Sequence, residues 1–283
     1  MRILVPHFLE AVRWKNLLLI ILLYLVLFYK FLAPYYDITT FLLLLLATLS
    51  ITAAGNLEND LYDTETDRHN RKFNFYHHHD ERNIYRLLPY ILYVAGLLLA
   101  WLFLIRIHKG LYILYFLAVI ILLFDYNRII KKMPVIGNFI ISILLMLLIF
   151  NIIIFYTLHY IDQLKLLFTA LFLFPVNMNR ELAKDFLDRK GDRKMQYQTL
   201  PLISPKKALR LMFFHIILLL ILLIIFYFNP HISTIAKIYY FAMIFIPVSV
   251  HLNKLIRGKI NFKRLARFYK ILLLLGLFGI ILM

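Results

Sequence analysis

Apolar residues fall along this chain in long unbroken blocks, and the polar residues gather in the short gaps between them. Runs long enough to cross a bilayer, about 17–25 residues each, lie at about 17–35, 38–56, 87–106, 110–127, 136–157, 163–180, 208–228, 233–251 and 266–283. This pattern predicts an all-α fold, a polytopic membrane bundle of about nine transmembrane helices. The third and fourth runs are divided only by Ile107-His108-Lys109, and the fifth and sixth by a turn around Asp162-Gln163. The segment before the first run carries Arg2, Glu10, Arg13 and Lys15 and shows no small-residue cleavage site. The first run is therefore expected to be a retained helix rather than a removed signal.

Composition strengthens the membrane reading. With 63% hydrophobic residues, 17% charged residues and a mean hydropathy of +0.79, the chain cannot bury its apolar side chains and still coat itself with polar ones. Lipid has to be part of its solvent. The 283 residues suit a single transmembrane domain spanning 1–283, without a large soluble domain beside it. Cysteine is absent, which excludes disulfides, thiolate metal sites and a cysteine nucleophile.

A formal net charge of +17 raises the question of nucleic acid, and its placement argues against it. With the N-terminus inside, 27 of the 32 Lys and Arg fall in inner segments, and only Lys30, Arg106, Lys109, Lys165 and Lys237 fall outside. The excess is a topogenic signal, suited also to anionic headgroups or a diphosphate. It predicts an integral, multi-pass protein of a cell inner membrane with its chemistry on the cytoplasmic side, in contact with membrane lipids and not with nucleic acid.

The carboxylates are as unevenly placed. Nine of the fifteen acids sit in two short inner segments, as Glu58, Asp60, Asp63, Glu65 and Asp67, and as Glu181, Asp185, Asp188 and Asp192. Each segment places aspartates at i, i+3 and i+7, with a further oxygen ligand candidate at i−4, Asn56 in the first and Glu181 in the second. On a helix these positions share one face. A single acidic patch at a helix end is ordinarily just solvated, but two patches of identical spacing on one side of the membrane call for a function. They also hint at two pseudo-equivalent halves. Mg²⁺ takes hard oxygen ligands and is commonly held by one or two carboxylates plus substrate phosphates. Two acidic helix ends facing a shared cavity suit Mg²⁺ ions bridging to a diphosphate, with nearby Lys and Arg as additional donors.

The residues carry a resemblance that sharpens this. Asn59-Asp60-Leu61-Tyr62-Asp63-Thr64-Glu65-Thr66-Asp67 matches the N-D-x-x-D-x-x-x-D motif of the UbiA superfamily of intramembrane prenyltransferases. Arg180-Glu181-Leu182-Ala183-Lys184-Asp185-Phe186-Leu187-Asp188-Arg189-Lys190-Gly191-Asp192 resembles its second motif. The stretch from Tyr126-Asn127-Arg128 through Lys131 to Gly137-Asn138 looks like the family's loop between helices four and five, and Arg13-Trp14-Lys15-Asn16 resembles the usual start of helix one. The resemblance spans nearly the whole chain. It implies a nine-helix bundle around a central cavity that opens sideways to lipid, with Asp60, Asp63 and Asp67 holding one Mg²⁺ and Asp185, Asp188 and Asp192 a second. Lys131, with Arg71 or Lys72, would contact the diphosphate, joined by Asn59 and Lys184, and Tyr126 would lie near the reacting allyl group. Where many relatives carry Pro-x-Arg-Pro after the first motif, this chain has Asn70-Arg71-Lys72-Phe73-Asn74-Phe75.

The implied activity is Mg²⁺-dependent transfer of a prenyl group from its diphosphate to a lipid-soluble acceptor. The Arg-Glu-x-x-Lys-Asp motif most resembles enzymes that geranylgeranylate geranylgeranylglycerol phosphate. An aromatic quinone precursor is the alternative acceptor. Of other classes, a transporter would place its ionisable residues near the membrane midplane, whereas here they lie at one face; a non-catalytic isoprenoid-binding relative stays open. His77-His78-His79 reads as a polar interface stretch.

Overall fold

The computed structural model describes residues 4–33, 36–70, 73–79, 83–258 and 260–283. Arg2, Arg71, Lys72, Arg82 and Lys259 lie outside the described residues, as do the side chains of His78 and His79. Among the described residues every regular element is helical, and nine helices are long and apolar enough to cross a membrane. Two compact units divide the chain, residues 1–131 and 132–283.

In the first unit a short helix, α1 (Leu4–Ala11), precedes the spans α2 (Trp14–Leu32) and α3 (Ile38–Tyr62). Arg13 joins α1 to α2 in the left-handed region, with φ 56°. Two short helices, α4 (Thr64–Asn70) and α5 (Phe75–His79), lead to the spans α6 (Ile84–Arg106) and α7 (Gly110–Arg128). Asp37 caps α3 by accepting from the Thr40 amide at 2.9 Å and its hydroxyl at 2.6 Å, which satisfies an otherwise orphaned helix-end donor. The α3 and α6 backbones meet closely at Gly96, where a Cβ would stand 2.7 Å from Ile51 Cγ1 and 3.3 Å from the Ala47 carbonyl. Small residues permit such contact between membrane helices.

The second unit holds the spans α8 (Ile136–Phe155) and α9 (Tyr160–Lys194), a single turn α10 (Leu200–Ile203), and the spans α11 (Pro205–Phe228), α12 (Thr234–Ile256) and α13 (Phe262–Leu282). A wide π turn at Phe241–Phe245 interrupts α12 just before Pro247. Proline has no N–H to donate and its ring crowds the preceding turn, so the ladder widens there. At Gly279 of α13 a Cβ would lie 2.5 Å from the buried Tyr240 ring of α12.

Outward faces remain apolar. Leu98, Leu114, Ile121 and Ile225 are all exposed, as expected where the surroundings are acyl chains rather than water. The feature that positions the chemistry is helix length. At about 1.5 Å per residue, 25 residues of α3 reach about 38 Å and 35 residues of α9 about 52 Å, beyond a hydrocarbon layer of about 30 Å. The apolar runs end near 56 and 180, but α3 continues to Tyr62 with Asp63 as its C-cap and Asp67 on α4 just beyond, and α9 continues to Lys194, so both acidic stripes lie outside the apolar zone.

Candidate active site

In the first unit, Asp60 lies in the last turn of α3 and is buried. Its Oδ2 accepts from the Phe75 amide at 3.4 Å, and its carbonyl accepts from Asn74 Nδ2 at 2.6 Å. The same Asn74 nitrogen donates to Asp67 Oδ2 at 3.0 Å, so a fully buried asparagine bridges the two ends of the stripe. Asp63 is the C-cap of α3. Its Oδ1 pairs with Lys131 Nζ at 2.8 Å, with side chains only 16% and 9% exposed, while Oδ2 accepts from Asn59 Nδ2 at 2.9 Å. Asn56 turns its amide to the Val12 carbonyl at 3.0 Å, which leaves its oxygen as the group that can face a cation.

Behind this stripe lies a buried tie among three helices. Glu58 Oε2 accepts from the Tyr93 hydroxyl of α6 at 2.8 Å and from Asn127 Nδ2 of α7 at 3.1 Å. Asn127 also donates to the Gly55 carbonyl at 3.0 Å. Tyr126, half-buried, precedes Asn127 in the last turn of α7, and Arg128 follows it with its guanidinium 4.7 Å from the Phe124 ring centroid.

In the second unit the stripe runs down one helix, α9. Asp185 Oδ2 accepts from Asn138 Nδ2 of α8 at 2.8 Å. Asp192 is buried and its Oδ2 accepts from the Thr199 hydroxyl at 3.4 Å. Glu181 is engaged on both oxygens, by Arg180 Nη1 at 2.8 Å and by Lys184 Nζ at 2.6 Å. Lys132 stands 5.5 Å from the Tyr197 ring, and its carbonyl accepts from the Gln198 amide at 3.2 Å.

Among the described residues, no three His, Asp or Glu converge as a ready-made metal cage. The candidate donors are carboxylate and amide oxygens, the hard ligands that Mg²⁺ takes. Mg²⁺ retains water and completes its shell with one or two carboxylates and substrate phosphates.

A model of the UbiA prenyltransferase family matches residues 17–275. The chain belongs to this family. It is a prenyltransferase by family and an integral, multi-pass membrane protein by its nine apolar helices. Among solved structures, a digeranylgeranylglyceryl phosphate synthase is similar at 25% identity and a TM-score of 0.75, over 99% of this chain and 98% of that one. A UbiA homolog from Archaeoglobus fulgidus, bound to GPP and Mg²⁺, matches at 16% identity and a TM-score of 0.66, over 97% and 99% of the chains. An apo UbiA homolog from Aeropyrum pernix K1 matches at 14% identity and a TM-score of 0.65, over 94% and 97%. A comparison with curated proteins finds no match.

Within this UbiA-family chain the structure joins Asp63 to Asn59 and Lys131, and Asp60 to Asp67 through Asn74. Lys184 and Glu181 meet directly. Arg71 and Lys72 lie outside the described residues. Sequence reasoning passed over Asn74, Tyr93, Asn127 and Asn138 as partners. Tyr93 and Asn127 carried one usable signal, being polar groups inside or at the end of apolar spans, where they are kept for a reason.

Proposed function

We propose that this prenyltransferase moves a prenyl group, geranylgeranyl by its second motif, from the diphosphate to a lipid-soluble acceptor, in a Mg²⁺-dependent reaction at the cytoplasmic face of a cell inner membrane. The observation that carries this reading is the pair of carboxylate stripes, Asp60/Asp63/Asp67 at and just beyond the end of α3 and Asp185/Asp188/Asp192 at the end of α9, on helices that outrun the bilayer. The carboxylates, with the oxygens of Asn56 and Glu181 as further candidates, would hold Mg²⁺, which when bound neutralises charge on the leaving diphosphate. Lys131, Lys184 and Asn59, with Arg71 and Lys72, would donate to the phosphate oxygens. Tyr126 would face the allylic carbon, where an aromatic ring stabilises developing positive charge. Support comes from the solved relatives: one is a digeranylgeranylglyceryl phosphate synthase, and another is bound to GPP and Mg²⁺. A phosphorylated geranylgeranylglycerol is the acceptor we favour, and we propose that residues 1–283 act as one transmembrane catalytic domain.

The test is product formation in proteoliposomes from labelled geranylgeranyl diphosphate and a panel of acceptors, with and without chelator. Chelator-sensitive product that disappears in Asp60→Asn and in Asp185→Asn is expected. Product that survives chelation, or either substitution, would overturn the reading. An aromatic acid used in preference to the glycerol phosphate lipid would move the acceptor to the quinone-precursor class.

A further inference from the structure

A second polar cluster precedes the acid stripe on α9. Arg180 comes five residues before Asp185, so at about 1.5 Å per residue it lies about 7–8 Å further along the axis toward the middle of the span. There, at the inner edge of the apolar zone, a largely buried arginine is a functional-site candidate. The Arg180 side chain is only 23% exposed. Its Nη1 donates to Glu181 Oε1 at 2.8 Å and to Asn177 Oδ1 at 3.5 Å. Asn177 is buried and donates to Ser142 Oγ at 3.2 Å, and Ser142 donates to the Asn138 carbonyl at 2.7 Å.

Both of these bonds use one nitrogen. Among the described residues, Nη2 and Nε of Arg180 meet no acceptor. The guanidinium is therefore aimed from behind by buried amides and a carboxylate, while half of its donor fork is left open. Glu181 is shared between Arg180 and Lys184. An open, oriented guanidinium edge fits a planar or tetrahedral oxyanion through two parallel bonds.

We propose that Arg180 determines acceptor specificity by binding an anionic group on the acceptor, a phosphomonoester or a carboxylate. This rests on the prenyltransferase reading above, in which the donor diphosphate belongs to the aspartate stripes nearer the helix end. An acceptor whose anionic head reaches the inner edge of the apolar zone needs a counter-charge there, and Arg180 supplies it with donors to spare.

The test uses the full chain in liposomes with geranylgeranyl diphosphate and Mg²⁺, and three acceptors: geranylgeranylglycerol phosphate, the same lipid without phosphate, and 4-hydroxybenzoate. In Arg180→Gln the KM for whichever anionic acceptor the wild type uses should rise about 10- to 100-fold, the value of a charge-assisted hydrogen-bond pair. The KM for the donor should stay within about twofold, and Arg180→Lys should recover part of the loss. The preference of the wild type for the phosphorylated over the phosphate-free lipid should vanish in Arg180→Gln, or the corresponding loss should fall on the carboxylate acceptor. A rise in donor KM instead, or an unchanged acceptor preference, would overturn the proposal. Retained Mg²⁺-dependent donor binding shows that the variant is folded. If the wild type makes no product with any acceptor, the fault lies with the functional reading. Direct binding of the phosphorylated lipid and of 4-hydroxybenzoate, to wild type and to Arg180→Gln, then decides the role of Arg180 separately: weaker binding in the variant supports it, and equal binding overturns it.

Discussion

Glu58 gives the sharpest check on how the first stripe is held. It stands two residues from Asp60, about 200° around the helix, so it points away from the aspartate stripe and into the unit. There it is fully buried and accepts from Tyr93 and Asn127 at 2.8 and 3.1 Å. Glu58→Leu strands the Tyr93 hydroxyl and one amide hydrogen of Asn127, whose other hydrogen keeps the Gly55 carbonyl. At about 1–3 kcal/mol for each buried donor left unmet, the loss is about 2–6 kcal/mol. Glu58→Gln keeps one acceptor oxygen and should cost less. A double-mutant cycle with Tyr93→Phe isolates the hydroxyl contact and should return a coupling of about 1–3 kcal/mol. The measurement is unfolding free energy by SDS titration from mixed micelles. A coupling within about 0.5 kcal/mol of zero, the ordinary scatter of additive sites, would show that α3 and α6 are not joined through this bond.

Two other perturbations test separate parts of the chain. Lys131→Met leaves the largely buried Asp63 carboxylate without its ion-pair partner and should cost about 3–5 kcal/mol of stability in the same titration; adding Asp63→Asn should recover part of that loss, and no recovery would mean the pair at 2.8 Å contributes nothing. Asp37→Ala removes the α3 cap and should lower stability by about 0.5–1 kcal/mol at neutral pH, the low end for an exposed cap. Hydrogen bonds from Thr40, side chain first and backbone second, hold the Asp37 carboxyl below its ordinary 3.8. A depressed value in the fold means the contribution is full above 3.8 and is lost as pH falls through the lowered value. The wild-type and variant thermal midpoints should therefore converge under acid, and a gap that widens there would refute the assignment.

How much of this was readable beforehand depends on the range of the interaction. The spans, their number and the two stripes follow from local pattern, since hydrophobic run length and i, i+3, i+7 spacing are properties of neighbouring residues. The apolar runs stop at about 56 and 180 while the helices go on, because hydropathy marks where the bilayer stops and says nothing of where hydrogen bonding stops. Partners across helices were not legible. Asn127 meets Glu58 from 69 residues away and Asn138 meets Asp185 from 47 away, and nothing in their own neighbourhoods names the partner. Glu181 shows the opposite limit. Its i−4 position marked it as a ligand candidate, but the two cations that occupy its oxygens are its own helical neighbours.

The two stripes share a spacing and differ in what holds them. On α9, Glu181 is gripped by residues one and three positions away on the same helix, so that part of the arrangement exists once the helix has formed. On α3 the supports arrive from elsewhere, through Asn74 and Phe75 beyond a short helix and Lys131 beyond two more spans. Those first two supports lie inside Asn70–Phe75, the stretch where the sequence departs from the Pro-x-Arg-Pro of many relatives. Within that stretch a buried asparagine stands between Asp60 and Asp67 and bonds to both. Both stripes lean on tertiary packing, α9 through Asn138 at Asp185 and α3 through Asn74, Phe75 and Lys131. Substitutions along 73–75 should disturb the α3 stripe as surely as substitutions of the aspartates themselves, without touching the α9 stripe.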